Sequence, residues 1–221
     1  MLNINLNSTS INSFELLITG LITLFVTFAG VFLAQTLSQR SARKRREEQE
    51  KKVSINLLKY LFAEIISNYR LMNDICKNLD KDTPPDKYEG GVFIYEIIKH
   101  LSDKNHISYL STVASYNVMN DQMMNAIEQI YYKISEVKLK WSMLINIGRP
   151  KNETEINMLD TVFTHTQDYT KSGLDLLKNN IPIIISFMKE KGITYKIVIN
   201  QQDVINLMDD DGFSKLIELE G

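Results

Sequence analysis

The most prominent feature of the hydrophobic pattern is an uncharged apolar run near the N terminus. The run extends from Leu16 to Ala34, and Glu15 is the only charged residue before Arg40. An α-helix of this length spans about 28 Å, which is close to the roughly 30 Å hydrocarbon core of a bilayer. The pattern predicts a transmembrane helix over residues 14–39, preceded by a short extracytoplasmic segment of residues 1–13.

Two other interpretations of the apolar run stay open at this point. A buried helix of a soluble domain would need apolar partners on every face. A cleaved signal peptide usually has basic residues before its apolar core, whereas no Lys or Arg precedes this run. The run is also longer than a usual signal core, so the pattern favours a permanent span.

A basic cluster follows the predicted span directly. Its members are Arg40, Arg43, Lys44, Arg45 and Arg46. Basic flanks of membrane helices stay on the cytoplasmic side, so we expect a single-pass protein of the inner (plasma) membrane, with its N terminus outside and its C-terminal domain in the cytoplasm. At the membrane surface this cluster would contact anionic lipid headgroups.

One face of the predicted span consists of small and hydroxyl-bearing residues. They are Thr19, Thr23, Thr27, Gly30 and Ala34. Small residues let helices approach closely, and threonine hydroxyls can bond across a helix pair, which predicts a homo-oligomer or a contact with another membrane protein. Alternatively, the hydroxyls bond back to their own turn and carry no partner.

The rest of the chain shows the three-and-four spacing of amphipathic helices. One apolar face comprises Leu58, Leu61, Phe62, Ile65, Tyr69, Met72, Ile75 and Leu79. A second helical region covers residues 107–147, is interrupted near 115–120, and carries Ile127, Ile130, Ile134, Val137 and Trp141. Gly148-Arg-Pro150 ends that region, and a further helix starts at Glu153. Pro182 should kink or restart this last helix.

The shorter elements follow from local composition. Residues 80–91 are typical of a loop, and residues 92–101 predict a short helix with Phe93, Ile97 and Leu101 on its apolar side. The alternating branched residues of 193–199 predict the one credible strand, which would need a pairing partner or serve as a connector. Short helices are expected over 202–208 and 213–219.

These elements together predict an all-α protein. A transmembrane helix leads into a basic, charged juxtamembrane helix over residues 40–52. An up-and-down cytoplasmic helical bundle follows over 53–202, with coiled-coil-like packing and possible strand structure only near 193–199. Residues 203–221 hold six acidic side chains against Lys215 and are expected to form an acidic C-terminal tail.

The search for chemistry yields few candidates. His100, His106 and His165 lack ligand spacing, and no HExxH, phosphate-binding glycine loop or GxSxG motif occurs. Cys76 lies on the apolar side of its helix and is expected in the core. The acidic end departs from a calcium loop, because Leu207 stands where an acidic ligand is required. We therefore expect no catalytic, cofactor-binding or metal site.

Nucleic acid is not expected as a partner. Binding to nucleic acid requires a basic face that neutralises phosphates, and only residues 40–46 could supply one. In the predicted topology these residues lie against the membrane.

Glu64 and Asn68 form a polar pair one turn apart on an otherwise apolar helix. Such a pair could bond across the bundle core or line a small polar pocket. If the protein were an enzyme with an unrecognised helical active site, Glu64, Asn68 and His165 would be the first candidates.

The order of these elements carries one resemblance. Arg40 to Arg46 follow the span, and the next helix reads Leu57-Leu58-Lys-Tyr-Leu61-Phe-Ala-Glu64-Ile65-Ile-Ser-Asn68. Over residues 14–79 the chain resembles uncharacterised bacterial and phage single-pass membrane proteins with an N-terminal transmembrane helix, an Arg-rich stretch and a cytoplasmic helical domain. The resemblance implies this architecture and transfers no activity.

The functional expectation is a non-enzymatic, membrane-anchored module that acts through protein contacts. It would serve as an adaptor, scaffold or sensor in the cytoplasm, with phage–host conflict as one setting. The alternative is a membrane-perturbing effector or pore-forming oligomer, assembled through the transmembrane helix.

Overall fold

The computed structural model describes residues 7–81, 87–103, 110–111, 119–199 and 203–220. In these ranges the protein is all-α apart from one two-stranded sheet, as predicted. Its elements are α1 (Asn7–Lys81), α2 (Lys87–Ile98), α3 (Asp121–Ile147), α4 (Glu153–Glu190), β1 (Lys196–Ile199), β2 (Asp203–Asn206) and α5 (Gly212–Glu220). The chain divides into two compact units, residues 1–51 and residues 52–221.

The first unit contains the apolar run. Every residue from Glu15 to Ala34 is exposed, with Phe25 retaining 77% of its accessible surface. Of the helices described, α1 is the one long and apolar enough to cross a membrane, by length and composition. The most apolar part of α1 is not buried at all. A buried helix of a soluble domain, which was one of the two other interpretations of the apolar run, therefore does not fit.

The second unit has a hydrophobic core built from the predicted helix faces. All eight apolar positions predicted between Leu58 and Leu79 are buried. The five predicted positions on α3, from Ile127 to Trp141, are buried as well. These helices therefore follow their sequence periodicity, because each long stripe can be covered only by packing against the other helices.

The ends of α3 and α4 are fixed by local capping. Asn120 accepts a hydrogen bond from the Met123 amide at 2.8 Å, and Gly148 closes α3 with a φ of 78° that favours glycine. At the start of α4, the side chain of Asn152 accepts from the Glu155 amide at 2.9 Å. The Glu155 carboxylate in turn accepts from the Lys151 amide at 2.7 Å. These caps explain why the predicted boundaries at 148–153 are confirmed.

Helix α4 is longer than its sequence pattern suggests. Pro182 lies inside the helix, which extends to Glu190, so the predicted restart at this proline is wrong. Ile181, Ile184 and Met188 are buried around the proline. This burial outweighs the loss of one backbone hydrogen bond, because a helix that stopped at Pro182 would leave these side chains uncovered.

Helix α2 begins earlier than predicted, and of the apolar positions predicted there Leu101 is buried as expected. Residues 87–91 belong to the helix rather than to a loop. The predicted apolar residue Phe93 is 62% exposed, whereas Ile94 and Ile98 are buried. A Cβ atom added at Gly91 would lie 2.7 Å from Leu144 Cδ2. Glycine at this position therefore allows α2 to approach α3 closely, which is why a loop-forming residue occurs inside a helix.

The C-terminal region forms a hairpin followed by a helix. The predicted strand is confirmed over β1, and its partner is β2, so the helix predicted over 202–208 is wrong. The strands are antiparallel, with Ile197 opposite Ile205, and both side chains are buried. Leu207 and Leu216 are fully buried in the same core. The acidic composition of residues 203–220 thus coexists with an ordered, packed structure.

Candidate functional site

The small face of the apolar helix satisfies its hydroxyls locally. Thr19, Thr23 and Thr27 donate to the carbonyl oxygens of Glu15, Thr19 and Thr23, at 2.7–2.8 Å. A hydroxyl has one hydrogen, so none of these threonines has a donor left for a neighbouring helix. At Gly30 an added Cβ would meet nothing within 4 Å, and Ala34 is exposed. Close approach of another helix therefore remains sterically open along this face.

The basic segment is exposed throughout. Arg40, Arg43, Lys44, Arg45 and Arg46 all lie on the solvent-accessible surface of α1. Arg43 donates to the Glu47 carboxylate at 2.9 Å, one turn further along. Such an exposed pair contributes little to stability and leaves the segment strongly basic.

Glu64 and Asn68 both bond across the bundle. The Glu64 carboxylate accepts from the Tyr131 hydroxyl at 2.7 Å, which links α1 to α3. Asn68 is buried and donates to the Ser102 carbonyl at 2.9 Å while accepting from the Ser102 amide at 2.8 Å. Asn68 thereby fixes the backbone that follows α2, which matches one of the two roles expected for this pair.

A shallow groove of about 440 Å³ lies along the same stretch of α1, but neither Glu64 nor Asn68 lines it. Its walls include Ser67, Arg70 and Asp74 from α1, His100 after α2, and Tyr195 before β1. Burial raises the pKa of the Tyr195 hydroxyl, so this group stays protonated. Tyr195 also makes an edge-on contact with Phe62, with ring centroids 5.1 Å apart.

The interface of α3 and α4 contains a buried hydrogen bond between side chains. Trp141 is fully buried and donates from Nε1 to Thr170 Oγ1 at 2.9 Å. Its ring also meets Phe163 edge-on, with centroids 5.6 Å apart. Further along, Gly173 on α4 lies near Val137 on α3. Because the partner residue numbers rise on α4 as they fall on α3, the two helices are antiparallel.

The outward side of α3 carries a second apolar stripe, called here the outer stripe. It consists of Tyr132, Leu139, Met143 and Ile147, which are 67%, 61%, 58% and 37% exposed. At 100° per residue these positions fall within an arc of about 80°, opposite the buried face of the helix. Large apolar side chains at helical spacing on an exposed face are typical of an interaction surface.

Charged groups lie beside the outer stripe and converge on Tyr169 of α4. The Tyr169 hydroxyl donates to the Glu136 carboxylate, and Lys133 Nζ lies 3.2 Å from the centre of the Tyr169 ring. Lys140 Nζ lies 4.5 Å from the same centre. Burial, followed by the bond to Glu136, raises the pKa of Tyr169 to about 12. A hydrogen bond to the same carboxylate raises the pKa of Tyr132.

The remaining candidates from the sequence do not form a cluster. His100 and His165 are exposed on different elements, and His106 lies outside the described residues. Cys76 is buried, as predicted. Within the ranges that the structure describes, no three His, Cys, Asp or Glu side chains come together as metal ligands. At the acidic end, Asp210 pairs with Lys189 and Asp211 with Lys215, both at 2.7 Å.

Sequence periodicity did not single out the outer stripe, although the signal is present. The buried stripe alone already explains the helical periodicity of α3. The residues between its members therefore look like ordinary exposed positions. The apolar residues on the two faces of α3, taken separately, show that four large side chains lie opposite the core.

Comparisons with known proteins do not assign a function to these residues. No protein-family profile, curated protein or solved structure matches the chain.

Proposed function

We propose that this protein is a membrane-anchored helical module that acts through protein contacts, as an adaptor, scaffold or sensor. The observation that carries the proposal is the fully exposed apolar surface of residues 15–34. Each square ångström of apolar surface left in water costs about 25 cal/mol, so insertion into a bilayer would stabilise a segment of this kind. The helical unit of residues 52–221 would then be held at the membrane surface.

The orientation is part of the same proposal. The exposed basic segment from Arg40 to Arg46 directly follows the apolar run, and such flanks are retained on the cytoplasmic side. Attraction to anionic headgroups accounts for this segment without a nucleic-acid partner. The architecture supports a place among bacterial or phage single-pass proteins of the inner membrane.

The hydrogen-bonded polar groups between the elements of the second unit support a non-enzymatic role. Glu64, Asn68 and Thr170 each hold two elements together through hydrogen bonds. The large exposed side chains of the outer stripe, in contrast, suit contact with another protein. The proposed activity is therefore recognition at the membrane surface.

The alternative, a membrane-perturbing effector assembled through the apolar helix, is the weaker proposal. Thr19, Thr23 and Thr27 donate their hydroxyl hydrogens to carbonyl oxygens of their own helix. Assembly would then depend on close packing of the small face, at Gly30 and Ala34. It predicts growth arrest on expression that Gly30→Leu relieves, and harmless high-level expression of the unchanged protein would exclude it.

Topology can be tested by cysteine labelling of the full chain in a Cys76→Ser background. Ser10→Cys and Glu153→Cys provide one site before the apolar run and one in the helical unit. In intact spheroplasts a membrane-impermeant maleimide should label the first site only, and lysis should expose the second. Labelling of both sites before lysis, or release of the protein by alkaline carbonate, would contradict the anchored cytoplasmic module.

A further inference from the structure

Along α3, the apolar residues of the outer stripe and the charged residues beside it are arranged almost symmetrically about position 138. Leu139 lies at the centre, with Tyr132 on one side and Met143 on the other. Glu136 and Lys140 flank Leu139 and point to the same side of the stripe, since they differ by only about 40° around the helix. A two-fold axis near position 138 would bring each of these groups opposite its complement.

We propose that the outer stripe is a docking surface for a second copy of this chain, with the two α3 helices antiparallel. In this arrangement Leu139 contacts Leu139 of the other copy near the axis. Tyr132 packs against Met143, and Glu136 faces Lys140, each pair occurring twice. An isologous interface requires this self-complementarity, because one patch must serve as both partners.

The electrostatics of a single copy suit this arrangement. The Glu136 carboxylate already accepts from Tyr169 and Tyr132, but a carboxylate offers about four acceptor positions, so it can also receive a lysine from the other copy. Lys140 lies beside the Tyr169 ring and remains at the edge of the stripe. Charge complementarity thus favours a second copy in antiparallel orientation, because a parallel pair would place the two Glu136 and Lys140 sides on opposite edges of the interface, where Glu136 would not face Lys140.

The outer stripe is too small for a stable dimer by itself, so pairing depends on the proposed membrane anchor. In this respect the inference rests on the proposed function. A stable interface buries about 800 Å² on each partner, and four partly exposed side chains of one helix face supply roughly half of that. Pairing through the stripe is therefore weak in free solution. Confinement of both copies to one membrane raises their effective concentration and favours the pair.

Disulfide trapping in native membranes tests the pairing. Two variants of the full-length protein are compared in the Cys76→Ser background, Leu139→Cys at the centre of the stripe and Asn125→Cys as the control. Asn125 is exposed on the same outward side of α3, but its copies would lie about 39 Å apart in the antiparallel pair. In a parallel pair the copies of residue 125 would be neighbours instead.

After copper-catalysed oxidation, Leu139→Cys should yield at least about tenfold more disulfide dimer than Asn125→Cys, because a disulfide needs Cα atoms roughly 4.4–6.8 Å apart. Equal trapping at both positions, or none at either, overturns the proposal. Carbonate extraction of the same membranes is measured in parallel. Loss of the protein from the membrane would instead refute the anchored module, so the two failures are distinguishable.

A charge-reversal mixture tests the register independently. Glu136→Lys and Lys140→Glu, each combined with Leu139→Cys and with tags of different size, place like charges together in either homodimer. In a mixed pair the facing charges are again opposite. Co-expression should therefore give mostly heterodimer, whereas the statistical ratio would refute contact between positions 136 and 140. Thermal melting of each variant, followed by circular dichroism, verifies that the helices are intact.

Discussion

Two regions of this protein carry threonines four residues apart, and they use the same hydrogen bond in different settings. In residues 1–51, Thr19 and Thr23 are exposed and each donates to the carbonyl one turn earlier. In α4, Thr166 and Thr170 make the same bond while buried. There Thr170 also accepts from Trp141 Nε1. A threonine bonded to its own turn therefore still offers an acceptor to a neighbouring helix.

This comparison restricts the kind of helix that could pair with the small face of the apolar run. A second copy brings threonines whose hydrogens are already used, so it has no donor on that face for the threonine oxygens. A different membrane protein could supply a donor, as Trp141 does inside the second unit. Contact between two copies would then depend on small-residue packing, or on the outer stripe of α3.

The largest expected effect comes from removing the donor in the buried case. Trp141→Ala should lower the free energy of unfolding of the helical unit by about 3–5 kcal/mol, because it leaves a cavity and removes the donor to the Thr170 hydroxyl oxygen. Urea denaturation of the full-length protein in detergent, followed by circular dichroism, measures this loss. A change below about 1 kcal/mol would show that Trp141 is not buried between α3 and α4.

Replacing the acceptor gives the next largest effect and has a matched control in the other region. Thr170→Val keeps the side-chain volume but leaves the Trp141 N–H unsatisfied, which should cost about 1–3 kcal/mol. Thr23→Val removes only an exposed bond to its own turn, so the unfolding free energy should change by less than about 0.5 kcal/mol. Trp141 is the single tryptophan of the chain, so its fluorescence follows both unfolding curves. Equal effects of Thr170→Val and Thr23→Val on the free energy of unfolding would refute the difference between the buried and the exposed threonine.

Glycine provides a second test of the same contrast. Gly91→Ala introduces a methyl group 2.7 Å from Leu144 Cδ2, whereas Gly30→Ala meets nothing within 4 Å. Overpacking costs about 1–3 kcal/mol, and the better helix propensity of alanine recovers about 1, so Gly91→Ala should destabilise by roughly 0–2 kcal/mol. Gly30→Ala should leave denaturant unfolding unchanged. A stabilising Gly91→Ala would show that α2 lies further from α3.

The smallest expected effect is a dependence of stability on alkaline pH. The folded protein raises the pKa of Tyr169 from 10.0 to about 12, so it favours the protonated phenol. The resulting stability is complete below pH 10 and is lost as the pH rises from about 10 to about 12. Melting temperatures of the unchanged protein and of Tyr169→Phe should converge over this window. Parallel curves for the two proteins would contradict the contact with Glu136.

The buried positions of the long helices were predictable because they repeat at helical spacing on one face. The eight buried positions between Leu58 and Leu79 repeat at helical spacing, and the same holds for Ile127 to Trp141. The boundaries at Gly148 and Asn152 were predictable for a similar reason, since capping is local chemistry. The polar pair of Glu64 and Asn68 could be selected from its position, but its partners Tyr131 and Ser102 could not, because they are distant in sequence.

The errors occur where distant contacts override local preference. Residues 87–91 have loop composition, yet Gly91 allows α2 to pack against Leu144. Pro182 interrupts a helix locally, yet the core side chains on both sides keep α4 continuous. Residues 203–206 form a strand because β1 needs a partner, and Ile205 is buried by that pairing. In each case the deciding group comes from another part of the chain.

The apolar run, the basic segment after it, the all-α class and the inward face of the long helices follow from the order of side chains within one segment. The close approach of α2 to α3, the pairing of β1 with β2, and the exposure of Tyr132, Leu139 and Met143 on α3 depend on how the helices pack together. Whether a helix face is covered depends on neighbours that pack against it, and those neighbours are fixed only when the whole core assembles.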